Sequence, residues 1–99
     1  MTTILAVDDS VTMRKCLEIT FAGTEFNVVT CDSAISALEQ VKAIQPDLVI
    51  ADASLPPGDG YELCTTLKLA QPGLPVLMLT SKQNPFDAGR WAQADDHLD

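Results

Sequence analysis

The residues of this chain best placed to do chemistry stand at the ends of apolar runs. Asp8 and Asp9 follow "ILAV", Asp52 follows "DLVIA", and Thr80 with Ser81 follows "PVLML". Polar groups released at strand ends either cap the next turn or converge into a site. If the first and third runs are neighbouring strands, about 4.8 Å apart, Asp9 and Asp52 bring two like charges together. At ~5 Å and an effective dielectric near 20 that repulsion is roughly 3 kcal/mol, so a raised pKa, a basic side chain or a bound cation must offset it. Three clustered carboxylates with backbone carbonyls nearby suit a hard divalent ion, and Mg2+ best when a phosphate supplies further ligands. A carboxylate beside such an ion can attack phosphorus, with Thr80 as a hydroxyl donor to the phosphoryl group. Taken singly, Asp8 reads as a turn residue and Thr80 as ordinary β propensity. Three strand ends with polar groups at one crevice favour a site. The pair after the second run, Asp32 and Ser33, needs only a helix cap to explain it.

Those positions require a parallel sheet, and the pattern of the chain supplies one. Short apolar runs alternate four times with segments of helical period, as in strands joined by helical crossovers. Strands are expected at residues 4 to 7, 26 to 31, 47 to 51 and 75 to 79. The first helix opens at Ser10, places Met13, Leu17 and Phe21 on one face, and stops at Gly23. The second begins near Asp32 or Ser33, carries Ala34, Ala37, Leu38 and Val41 inward, and cannot pass Pro46. After the "SLPPG" bend, Asp59 and Glu62 have the spacing of a capping box, Leu63 and Leu67 face inward, and "QPG" ends the third helix. Asn84 and Pro85 read as the cap and first position of a short fourth helix reaching about Gln93, and "DDHLD" as the start of a fifth strand.

Ninety-nine residues with 46% apolar content make one domain. The apolar runs fall well short of the ~18 residues a membrane span needs, and "MTTILAVDDS" has neither the basic start nor the apolar length of a signal peptide, so a cytoplasmic location is expected. Cys16, Cys31 and Cys64 are odd in number, widely spaced and without C-x-x-C, which excludes a disulfide framework and a zinc site and leaves three reduced core residues. With 14 acids against 6 bases and a formal charge of −8, nucleic acid is excluded as a direct partner.

Taken together, "ILAVDDS", "PDLVIADASLPPGDGYEL", "PVLMLTS" and "ADDHL" resemble the receiver domain of two-component response regulators over essentially the whole chain. The resemblance implies a doubly wound, flavodoxin-like α/β fold with a five-stranded parallel sheet in the order 2-1-3-4-5. It further implies that a sensor histidine kinase or a small-molecule phosphodonor phosphorylates an aspartate. On that footing Asp52 is the phosphoacceptor, Asp9 a direct Mg2+ ligand and Asp8 its companion acid acting through water. Ser54 offers a backbone carbonyl to the metal and a side chain that tunes phosphoryl lifetime, Thr80 is the switch hydroxyl, and His97 stands where a rotating aromatic is usual. The lysine that the resemblance places just after the fifth strand would fall beyond Asp99, so this chain carries none; Lys82 lies on another strand's loop and reads as solvated surface. The segment from Thr80 to His97 is about two residues short, with Gln93 where a glycine often precedes "ADD". The last strand is cut short and the fifth helix is missing. A parallel sheet lacking a covering helix exposes apolar surface. Residues 1–99 are therefore expected to be the N-terminal receiver part of a longer chain, or to dimerise through the uncovered sheet face or the fourth-helix/fifth-strand face.

Of the remaining residues, His97 lacks partners for a metal site and reads as a packing residue or as a pivot for the Thr80 switch. Arg14 and Lys15, one helical turn past the acid pair, read as surface that can temper its charge. Tyr61 reads as packing; Trp91 near Phe86 offers a partner-binding edge, but aromatics on a short helix are more often core. The expected function is a phosphorylation-dependent signalling switch whose partner-binding face is read by a downstream protein or output domain. Such a domain assists its own phosphorylation and dephosphorylation without being an enzyme in the usual sense. One rival is a pseudo-receiver that docks proteins without phosphorylation. Another is a phosphatase of the haloacid dehalogenase type, which needs a second acid two residues after its nucleophile, where Ser54 stands.

Overall fold

Val, Ile and Leu runs that can be buried on both faces form parallel strands, because β-branched and large apolar side chains fill a pleated surface covered from both sides. In the computed structural model, which describes residues 2–55, 59–79 and 96–98, these runs become β1 (Thr2–Val7), β2 (Phe26–Cys31), β3 (Leu48–Asp52), β4 (Val76–Leu79) and β5 (Asp96–Leu98). All pair in parallel, in the order β2-β1-β3-β4-β5. The crossovers carry α1 (Val11–Phe21), α2 (Ala34–Ile44) and α3 (Gly60–Ala70). The architecture is the expected one; β1 starts two residues earlier than the apolar run does. The expected fourth helix, with Thr80, Ser81 and Lys82, lies outside the described residues.

Each helix begins where a short polar side chain can satisfy a backbone N–H that has no partner within the helix. The Ser10 hydroxyl accepts from the Met13 N–H at 3.2 Å, the Ser33 hydroxyl from Ser36 at 3.1 Å and the Asp59 carboxylate from Glu62 at 2.9 Å. At its far end α2 closes on Gln45 in the left-handed region, φ 47°, because Pro46 blocks another helical turn.

Alternate residues of the strands divide between two faces. Leu5, Val7, Val49, Ala51, Val76 and Met78 meet Ala37 and Val41 of α2 and Leu63, Cys64 and Leu67 of α3 in one continuous core. Tyr61 is buried with them. Ile4, Ala6 and Ile50 point to the other face and are also buried, whereas Leu48 and Leu77 remain half-buried. That is the side of α1, and here the structure departs from the periodicity. Met13, Leu17 and Phe21 have the spacing of an inward stripe, yet α1 contributes no fully buried residue. It lies chiefly over β2, an edge strand, so its apolar side meets sheet on one flank only. Phe21 finds its partner in Phe26, edge to face at 5.8 Å and 75°.

The cysteines also separate. None of the three forms a disulfide, but only Cys64 is a core residue; Cys31 is half-buried and Cys16 is exposed on α1. Cys16 was expected inside because small apolar-like residues usually are, and the light packing of α1 is the reason it is not.

Candidate functional site

Register decides which acids meet. Val7 of β1 stands beside Ala51 of β3, so the next residues along, Asp8 and Asp52, leave the sheet side by side. Asp8 is 3% exposed, Asp9 is exposed and Asp52 is half-buried. One carboxylate oxygen from each of the three lies within 4.8 Å of the others. The convergence expected of Asp8, Asp9 and Asp52 is therefore present, with Asp8 rather than Asp9 directly across from Asp52.

Backbone ties hold Asp8 and Asp52 in place. Ser10 N–H donates to Asp8 Oδ1 at 2.9 Å, and Asp8 N–H donates to the Cys31 carbonyl at 3.1 Å, which continues the β1–β2 ladder by one residue. Ser54 N–H donates to Asp52 Oδ1 at 3.1 Å, fixing the carboxylate plane. Beyond Asp52, Ala53 N–H donates to the Leu79 carbonyl at 3.0 Å, so the end of β3 stays locked to β4. Arg14 reaches back from α1, and its Nη1 donates to the Asp8 carbonyl at 2.7 Å. Its guanidinium is more than solvated surface: it braces the turn and brings positive charge to Asp8.

Burial is the leading force on the two inner acids. It raises the pKa of Asp8, against the Ser10 hydrogen bond, which lowers it; the charge of Asp9 raises it further and that of Arg14 lowers it. Burial likewise raises Asp52, opposed by the Ser54 N–H and reinforced by the charges of Asp8 and Asp9. With carboxylate oxygens within 4.8 Å of one another, ionising one of these acids disfavours ionising the next. Three oxygens of hard carboxylates, partly desolvated and mutually repelling, are the donor set a small divalent cation requires. Nearby, burial pushes the Cys31 thiol up to about 11, which keeps it protonated and inert.

The other expected site residues divide as follows. Ser54 is exposed and adjoins Asp52 through its N–H. His97 enters β5, beside Met78 of β4 in the register. Thr80 lies outside the described residues. Of the pair after β2, Ser33 caps α2 by accepting from the Ser36 N–H at 3.1 Å, and Asp32 only accepts from the Ser36 hydroxyl at 3.5 Å. Sequence reasoning missed the brace from Arg14, because a side chain reaching from helix to preceding turn leaves no periodic trace. It also missed Gly60; a glycine at the first position of a helix, where Ala is more stable, was the available signal.

Comparison with known proteins agrees with this geometry. The family model of the response regulator receiver domain matches residues 4–98. The DNA-binding response regulator MtrA of Mycolicibacterium paratuberculosis is 35% identical over 97 residues, which are 96% of this chain and 43% of that protein. The chain thus spans less than half the length of that relative. Among solved structures, a putative response regulator from Chloroflexus aurantiacus superposes with a TM-score of 0.84 at 36% identity, covering 98% of this chain and 83% of that one. The N-terminal domain of a response regulator receiver protein from Methanoculleus marisnigri gives 0.85 at 30% identity, covering 99% and 83%.

Proposed function

Because the chain belongs to the response regulator receiver domain family, we propose that its acidic cluster is a phosphoryl-accepting site with Asp52 as the acceptor. The observation that carries this reading is the meeting of Asp8, Asp9 and Asp52 within 4.8 Å at the carboxyl edge of a parallel sheet. Asp8, Asp9, Asp52 and the Ser54 carbonyl would hold Mg2+. When bound, the ion keeps the carboxylates ionised and spreads the charge of the transferring group.

The chain's own residues supply the rest. Ser54 N–H orients the Asp52 carboxylate by one oxygen. An Asp52 oxygen forms the new bond to phosphorus, while the bond from phosphorus to the donor breaks and the leaving group departs with the electron pair. Asp52 must be ionised to do so, which its burial opposes and a cation favours. Thr80 and His97 are the switch residues in this reading: a hydroxyl turning to the phosphoryl group, and a pivot in β5 that carries the change to a partner-binding face.

The donor is a sensor histidine kinase or a small phosphodonor, and the reader is a downstream protein or output domain. Residues 1–99 form the receiver part of a longer protein, and the location is cytoplasmic; no described helix is long and apolar enough to cross a membrane. The test is phosphoryl incorporation into the natural protein from Mg2+ and a small acyl phosphate, followed by intact-mass spectrometry. One phosphoryl group is expected, lost in Asp52→Asn and on chelation of Mg2+. Incorporation unchanged in Asp52→Asn would overturn the assignment, and no incorporation from any donor would leave the docking alternative in its place.

A further inference from the structure

We propose that Gly60 is a positioning residue of the site: its missing side chain lets the first turn of α3 abut the backbone of Asp52, and that contact sets where the Asp52 carboxylate lies relative to Asp8 and Asp9. The inference rests on reading the acidic cluster as a divalent-cation site.

Space carries it. A Cβ built on Gly60 would fall on the Asp52 carbonyl oxygen, within 2.8 Å of the Asp52 carbonyl carbon and 3.0 Å of Met78 Cε. Met78 Cε is the far end of a flexible side chain and can swing away. The other two atoms belong to backbone that cannot yield alone. The end of β3 is fastened to β4 by Ala53 N–H donating to Leu79, and to α3 by Gly60 N–H donating to Ala53, both at 3.0 Å. A methyl group at residue 60 must therefore move either the strand end or the start of α3. Either motion reaches the carboxylate, because Ser54 N–H holds Asp52 Oδ1 from that same turn.

Conformational freedom does not explain the glycine. Gly23 has a left-handed φ of 76°, where a side chain would be strained whatever the space; Gly60 has no positive φ and opens an ordinary helix. Nor does helix propensity, since alanine at that position would favour the helix. Close approach to the acceptor's carbonyl is what remains.

Two measurements test this. In the unaltered protein, titration with Mg2+ followed by amide and Hα resonances should move Gly60 together with Asp52 and Ser54 at one midpoint while Gly73 stays fixed. A Gly60 that does not respond overturns the inference. Gly60→Ala should then weaken Mg2+ binding by about 10- to 100-fold, the range lost when groups supporting metal ligands are removed. Val41→Ala, a core truncation on α2, should leave that affinity within about twofold, as expected where only general packing is lost. Equal affinity in Gly60→Ala and the unaltered protein, or equal losses in Gly60→Ala and Val41→Ala, would overturn the positioning role alone. Absence of Mg2+ binding in the unaltered protein would overturn the cation site and this inference with it.

Discussion

On the face covered by α2 and α3, Leu5, Val7, Val49, Val76 and Met78 meet Leu63, Cys64 and Leu67, and all are buried. On the face of α1, the helix contributes no buried residue, Val11 and Ile19 are 62% and 73% exposed, and Leu48 and Leu77 are half-buried. The acidic site straddles the boundary between these regions. Asp52 ends a strand whose neighbours are core, so its backbone inherits the rigidity of close packing. Asp8 and Asp9 lead into the lightly packed helix, so their turn depends on polar ties from Ser10, Cys31 and Arg14. Both ends carry hydrogen bonds, but the Asp52 end also rests on the packed core and the Asp8 end leads into the sparse helix, so the two can be perturbed separately.

The largest contrast should come from truncating the helices. Leu67→Ala on α3 removes a side chain that is 2% exposed, and should cost about 3 kcal/mol in urea unfolding. Leu17→Ala on α1 should cost less than about 1 kcal/mol, as a partly exposed truncation does. Similar losses at both positions would erase the distinction between the faces.

Next in size is the charge of the site itself. Asp52→Asn keeps the oxygen that accepts from Ser54 N–H but removes one of three mutually repelling charges. Without divalent ions it should raise stability by about 1 to 2 kcal/mol, a fraction of the ~3 kcal/mol two charges at ~5 Å exert, visible as a rise of several degrees in Tm. The pH dependence follows from the sign of the shifts. The folded state raises both Asp8 and Asp52 above the ordinary 3.8, so it favours their protonated forms. Their stabilising contribution is complete below pH 3.8 and is lost as pH rises through the raised folded values. Metal-free thermal melts should show this loss between acid and neutral pH, and Asp52→Asn should flatten it.

Arg14→Ala tests the Asp8 end. Loss of its hydrogen bond to the Asp8 carbonyl should cost about 1 kcal/mol, and Arg14→Lys should recover the charge without the full brace. A Tm unchanged in Arg14→Ala would show that the turn does not rely on it. The smallest effect concerns the sparse face: the 99-residue chain should self-associate or bind an apolar dye in sedimentation and fluorescence experiments. A compact monomer that binds no dye would show that face to be adequately covered.

The sequence made some of this legible and hid the rest for identifiable reasons. Strands were readable from apolar runs and helix starts from Ser10, Ser33 and Asp59, because caps and buried strands depend on local residue type. The meeting of three acids was readable once the sheet was parallel, since every strand then ends at one edge. That Asp8 rather than Asp9 faces Asp52 was not, because register between β1 and β3 is set by pairing across 44 residues of chain, as between Ile4 and Leu48. The exposure of α1 was hidden too: Met13, Leu17 and Phe21 announce an apolar face but not which strand, edge or centre, will lie beneath it. Gly60 was hidden because its use depends on the carbonyl of a residue eight positions earlier.

The most direct test is to titrate Mg2+ into the protein while following the side-chain carboxyl carbon resonances of Asp8, Asp9 and Asp52. If the three acids cradle one ion beside the phosphoacceptor, all three should shift along a single binding curve and Asp47, an acid at the opposite edge of the sheet, should not. Three unrelated curves, or movement of Asp9 alone as for a loosely attracted counterion, would contradict it.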